Sequence, residues 1–384
     1  MTTVPLFKVF MSDAVAAPIT TTLLSGHITQ GPRVEEFEEQ LRALFGYPYI
    51  VTLNSATSGL TMALRMLKDS LPPLPPTDAY EVLSTPLTCM ATNVPILATG
   101  LRIKWVDVHP ETGLIDLADL ERKITEKTRI LTFVHWGGYP VDMDALKEIL
   151  DRKEREFGFR VHVIEDCAHA FLSEYKGRPL GTLGNFAVFS LQAIKHLSTG
   201  DGGLLFCPDK ESYDRAKILR WYGIDRDKRN YKGKDFRLEA DVKEWGYKFH
   251  MNDINATIGL ANLPHIPGLI ERARDTARYY DAHLANPRIK CYQQFSEECK
   301  SAYWLYTIMV DEKQKFIDYM KANGVMVSQV HQRNDVHTCF ADFRTELPQL
   351  DVVENHIVCI PVGWWITPEQ REMIVAVMNQ FTGE

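Results

Sequence analysis

From Tyr49 to Glu165 the sequence alternates short apolar runs with stretches of helical periodicity, and this rhythm narrows the possible folds more than any other feature. The runs are Tyr49–Leu53, Glu81–Thr85, Arg102–Val108, Arg129–His135 and Arg160–Glu165, with helical patterns over about Ser58–Asp69 and Met143–Phe157. The runs carry few alternating polar positions, as expected of strands buried on both faces. Strands of that kind, separated by helices, predict an α/β fold whose core is a mostly parallel, helix-covered sheet. At 384 residues the chain is long enough for two domains.

After Phe186 the rhythm changes. Phe186–Ser190 and Gly203–Cys207 read as two strands joined by a short excursion, a spacing suited to antiparallel pairing. Helical stretches over Asn252–Asn262 and Pro267–Leu284 lead into a smaller α+β region. The expected division is a large domain, 1–265, that includes the N-terminal segment, and a small C-terminal domain, 266–384. The proline-rich Leu71–Pro76 is a stiff connector, and no internal repeat is present.

Charge and targeting signals exclude several classes. Forty-three basic against fifty acidic residues give a net charge of -7, which argues against a nucleic-acid partner. Seven scattered cysteines without a C-x-x-C pair, and dispersed histidines, offer no metal set and suit free thiols in a reducing cytoplasm. The first residues lack a basic and apolar signal pattern. The uncharged Val82–Leu101 holds Pro86, Asn93, Pro95 and Gly100 and reads as strand, loop and helix, so no membrane span is expected.

In a covered parallel sheet, ligands bind where loops leave the carboxyl ends of strands. Three sets of residues stand out there. Lys195 follows an apolar stretch and precedes Gly200-Asp201-Gly202-Gly203; burial would lower its pKa and leave a nucleophilic amine, whereas exposure would make it an ordinary surface lysine. Asp166 ends the apolar run Val161–Glu165, where a carboxylate needs a cationic partner or caps the next helix. Asn54-Ser55-Ala56-Thr57-Ser58 runs from strand into helix, where amides and hydroxyls hold a phosphate or simply cap the helix; Ser190 is a further hydroxyl donor.

The order of the small-residue loop at Ser55–Thr57, Glu165-Asp166-Cys167-Ala168, Ser190-x-x-x-x-Lys195 and Gly200-Asp201-Gly202-Gly203 resembles the fold-type I pyridoxal-phosphate enzymes, specifically the DegT/StrS-type nucleotide-sugar aminotransferases. The resemblance extends from Leu24-Ser25-Gly26-His27-Ile28-Thr29-Gln30-Gly31-Pro32, with Phe37-Glu38, through His135–Asp144 to Met251–Ala256. It implies pyridoxal 5'-phosphate as cofactor, Lys195 as its Schiff-base lysine and proton shuttle, and Asp166 as partner of the ring nitrogen. Ser190, Ala56 and Thr57, with Ser55, become phosphate ligands.

Three positions depart from the family pattern. His169 stands where Gln usually lies beside the phenolic oxygen. Leu87–Thr92 lacks the usual aromatic cover of the ring face, leaving Thr88, Cys89 or another residue to serve. Lys248 replaces the asparagine that reaches a neighbouring subunit's cofactor phosphate. The resemblance also implies a homodimer with shared active sites, a nucleotide-linked keto-deoxysugar substrate and L-glutamate as amino donor. The basic run Arg226–Arg237 is a candidate diphosphate contact or a solvated loop, and His331 and Arg333 are candidate sugar contacts or packing residues. The alternatives are a dehydratase of the same family, which in one branch replaces the lysine by histidine and so directs attention to His196, and a cofactor-binding regulatory protein on the same fold.

Overall fold

The computed structural model describes residues 3–73, 79–226, 241–292 and 296–384. Its large sheet has seven strands: β1 (Ile50–Leu53), β2 (Glu81–Ser84), β3 (Arg102–Trp105), β4 (Thr128–Val134), β5 (His162–Asp166), β8 (Phe186–Ser190) and β9 (Gly203–Phe206). Two further strands, β6 (Glu174–Tyr175) and β7 (Arg178–Pro179), form a hairpin between β5 and β8. The sheet order is β1-β9-β8-β5-β4-β2-β3, with β9 antiparallel to both its neighbours and the remaining pairings parallel. The α/β expectation and the antiparallel reading of Phe186–Cys207 both hold.

Strand ends differ from the sequence reading where a side chain intervenes. The run expected to reach Val108 leaves the sheet after Trp105 because Asp107 turns the chain, its carboxylate accepting from the amides of Val108, Gln349 and Leu350. Val82–Leu101 forms β2, a loop and the helix Met90–Ala98, and no described helix is long and apolar enough to cross a membrane.

Local rules account for the two helices that matter most for the site. Ser55 caps Ala56–Ser70 by accepting from the Ser58 amide, and the helix buries Leu60, Ala63, Leu64 and Leu67 across β9, β8 and β5. Gly203 lets β9 pass directly beneath that cap, since a Cβ there would lie 2.5 Å from the Ala56 nitrogen. Met143–Phe157 starts at the Asp142 cap, stops at left-handed Gly158, and buries Met143, Leu146, Ile149 and Leu150.

The C-terminal part builds a second sheet from β10 (Ile289–Cys291), β12 (Tyr306–Val310) and β13 (Ile357–Ile360), while β11 (Cys299–Lys300) joins β6. Helices Ile266–His283 and Pro368–Gln380 supply Ala273, Ala277, Tyr280, Ile374 and Met378 to a second apolar core. Val4 also belongs to that core and bridges Val325, whereas Trp304, Phe340, Leu347 and Leu350 pack into the first. The two cores thus draw residues from both sides of position 265.

Candidate active site

The carboxyl ends of the parallel strands open into a cavity of about 520 Å³, a size that suits a small cofactor with its substrate. Ser55, Ala56, Thr57, Thr88, Asp166, His169, Ser190, Lys195 and His331 all line it. Cys89, Leu6, Phe7, Trp304 and Val330 complete the apolar part of the wall.

Asp166 is the last residue of β5 and only 3% exposed. Its Oδ2 accepts from Thr92 Oγ1 at 2.7 Å and its Oδ1 from the Ala168 amide at 3.0 Å. Because the Thr92 proton is committed to Asp166, the 2.7 Å contact between Thr88 and Thr92 has Thr88 as donor. Burial pushes the Asp166 carboxyl above its ordinary range, opposed by these hydrogen bonds and by the Lys195 charge. Asp166 caps no helix; it awaits a proton or a cation.

Lys195 is half-buried, and its Nζ lies 3.3 Å from the centroid of the Trp304 ring. Burial pulls its pKa down to about 7, with Asp166 pulling the other way. This lowered pKa and the Trp304 contact set Lys195 apart from an ordinary surface lysine.

His169 stacks on Trp304 with ring centroids 3.9 Å apart, and His331 lies nearly parallel to His169 at 5.7 Å. Burial drives His169 well below its ordinary value and His331 down to about 4, so both rings are neutral at pH 7. Among the described residues, His169 Nδ1 and His331 Nε2 are buried without a hydrogen-bond partner. Buried polar atoms of this kind are costly unless something fills the space beside them.

The helix that starts at Ala56 brings its first amides to the same cavity, with the Ser55, Thr57 and Ser190 hydroxyls nearby. The free amides of a first turn attract an anion. The group implied by the sequence resemblance fits this inventory: a phosphate for the helix start, a ring nitrogen for Asp166, a phenolic oxygen for His169 and an aldehyde for the Lys195 amine.

Two expected residues lie elsewhere. Arg333 is locked in a bidentate pair with Asp335, at 2.7 and 2.6 Å, and also contacts Asp351; it does not line the cavity, because those carboxylates consume its donors. Lys248 is exposed, its Nζ 3.5 Å from the Trp221 ring, and is also outside this cavity. Of the basic run, Arg226 donates to the Gln30 carbonyl, while 227–237 lie outside the described residues. His196 does not line the cavity: its Nε2 donates to the Ala302 carbonyl at 3.0 Å.

Sequence reasoning missed Thr92, Phe7 and Trp304. Thr92 was detectable, since it lies one turn after Thr88 at the start of a helix. Phe7 and Trp304 carried no local signal.

Beneath the cavity, ligand-type atoms of His135, Glu165 and Cys167 lie within 4.8 Å of one another. His135 Nδ1 accepts from the Val141 amide, so Nε2 carries the proton and donates to Glu165 at 3.1 Å. Glu165 also accepts from Asn185 at 2.8 Å, and burial holds the Cys167 thiol well above its ordinary pKa. His135 and Glu165 are thus satisfied by hydrogen bonds within the protein.

Residues 11–379 match the model of the DegT/DnrJ/EryC1/StrS aminotransferase family. The chain is 48% identical to AtS13 from Actinomadura melliaura over 100% of both chains, with a TM-score of 0.93. It is 41% identical to the sugar aminotransferase CalS13 from Micromonospora echinospora over 98% of this chain and 99% of that one, with a TM-score of 0.91. It is also 32% identical over 276 residues to the UDP-4-amino-4-deoxy-L-arabinose–oxoglutarate aminotransferase of Shewanella sediminis, covering 72% of this chain and 68% of that protein. The chain belongs to the DegT/DnrJ/EryC1/StrS aminotransferase family and is a pyridoxal-phosphate-dependent transaminase of fold type I.

Proposed function

We propose that this enzyme transfers an amino group, with L-glutamate as donor, to the keto group of a nucleotide-linked deoxysugar. The observation that carries the reading is the meeting, in one cavity, of a helix N-terminus, a buried carboxylate and a lysine whose amine is substantially neutral at pH 7. The Shewanella relative, named for a nucleotide-linked aminosugar and oxoglutarate, supports both substrate classes.

The cofactor, when bound, supplies the carbonyl that takes up the amino group and the ring that stores the electron pair of a broken C–H bond. The Lys195 amine, in the wall of the same cavity, would be the base that takes the proton from the carbon bearing the amino group and the acid that gives it back. Asp166, its position fixed by Thr92 and the Ala168 amide, would hold a protonated ring nitrogen. Ser55, Ala56, Thr57 and Ser190 would hold the phosphate; Thr88 positions Thr92, and His169 would donate to the phenolic oxygen. His331 meets the sugar. Arg333, paired with Asp335, orders the segment that follows His331.

A homodimer is part of this reading, with Lys248 serving the phosphate of the second active site; its exposure leaves it accessible for that role. The test is the visible spectrum with pyridoxal phosphate, before and after L-glutamate, beside Lys195→Ala. The reading expects a band that glutamate converts to the pyridoxamine absorbance, and no such band in the variant. A wild-type band unmoved by any amino donor would sink it. Light scattering checks the dimer.

A further inference from the structure

Lys195 is flanked by two hydrogen bonds to a single distant segment. On one side the Ile194 carbonyl accepts from Trp304 Nε1 at 3.0 Å, and on the other His196 Nε2 donates to the Ala302 carbonyl at 3.0 Å. The same segment presents the Trp304 ring 3.3 Å from the lysine Nζ. Trp304 is itself confined, stacked with His169 at 3.9 Å and with Phe7 at 5.0 Å. Tyr303, just before it, has a left-handed φ of 47°, a conformation that costs a bulky residue energy and that recurs where a functional group is held in place.

We propose that Trp304 is the positioning residue for the Lys195 amine: its ring seats the amine while its N–H fixes the carbonyl of the preceding residue. One side chain thereby sets both the end of the lysine and the backbone from which it springs. The electron-rich ring face favours the ammonium, while the bulk of the ring keeps water away. These two effects act on the amine in opposite directions, so variants separate them. The inference rests on Lys195 being the amine that takes up the cofactor.

The test follows the titration of Lys195 in full-length, cofactor-free protein by competitive acetylation and peptide mass spectrometry. Trp304→Leu, which excludes water but has no ring, is expected to lower the midpoint by about one pH unit. Above the midpoint, the rate at which added pyridoxal phosphate develops its lysine-bound band should fall about tenfold. Trp304→Phe should restore much of the midpoint. An unchanged midpoint and rate in Trp304→Leu would overturn the proposal. So would a rise toward the ordinary lysine value, because the ring would then act only by excluding water. If the leucine variant does not fold, Trp304→Phe and Trp304→His form a second pair of ring-shaped fillers, and equal midpoints in those two would overturn it. If wild-type protein never develops the band, the cofactor role of Lys195 fails, yet the midpoints still decide whether Trp304 seats the amine.

Discussion

Glu165 and Asp166 are adjacent, buried carboxylates at the end of one strand, yet they occupy opposite kinds of environment. Glu165 faces a closed network in which the His135 and Asn185 donors satisfy both its oxygens. Asp166, its pKa displaced, faces a cavity, beside two histidine nitrogens that lack partners among the described residues. The alternation of side chains along a strand places structure on one face and chemistry on the other. The difference is not burial, which both share, but whether the surrounding protein completes the hydrogen-bonding of each group. The His135 cluster has the composition of a metal site, and the tautomer of His135 assigns it to the structural side.

The largest effect that would break this contrast is on Lys195. Lys195→Ala should cut transamination by about a thousandfold or more, read as the rate of conversion with L-glutamate, while circular dichroism stays unchanged. Asp166→Asn keeps the shape but loses the charge, and should slow the same conversion by about a hundredfold with little change in melting temperature. A melting loss as large as that of a network variant would erase the distinction between the two faces.

The opposite outcome is expected from Glu165→Ala. Leaving the His135 N–H and the Asn185 amide unpaired should cost about 2–3 kcal/mol in a denaturant titration. The band formed with pyridoxal phosphate should keep its wavelength.

Much of this pattern was legible in the chain. β5 ended at Asp166 because an apolar run met a carboxylate, and Ser55 served as helix cap and cavity wall together, so the two readings of that residue were compatible. Lys195 needed its neighbours in order, and the structure added the burial that makes its amine available. What stayed hidden was long-range. Trp304 reads as one more core aromatic, and only the fold brings it to Lys195. Arg333 looked like a substrate contact because its sequence neighbour His331 is at the cavity, but two-residue proximity did not reveal that Asp335 and Asp351 had claimed the guanidinium.

Proton linkage sharpens the comparison further. Between pH 7 and 10.5 the unfolded chain holds a proton on Lys195 that the cofactor-free folded protein has released, so stability rises with pH across that window. Lys195→Met should accordingly stabilise the cofactor-free protein by about 1–3 kcal/mol at pH 7 or below, with the gain gone by pH 10.5. A gain that is flat with pH would place the lysine in solvent. The smallest expected change is Arg333→Ala, a loss of about 1–2 kcal/mol in stability through the stranded Asp335, with the cofactor band unaltered.

The N-terminal segment carries a consequence for how the protein comes into being. Val4 bridges Val325, and three residues later Phe7 rests on Trp304 at the cavity wall. During synthesis Val4 and Phe7 leave the ribosome about three hundred residues before their partners, so they are among the last to find their places. The nascent large sheet can pair its strands while its catalytic chamber still lacks a side, and the enzyme becomes competent only when Phe7 has come to rest on Trp304.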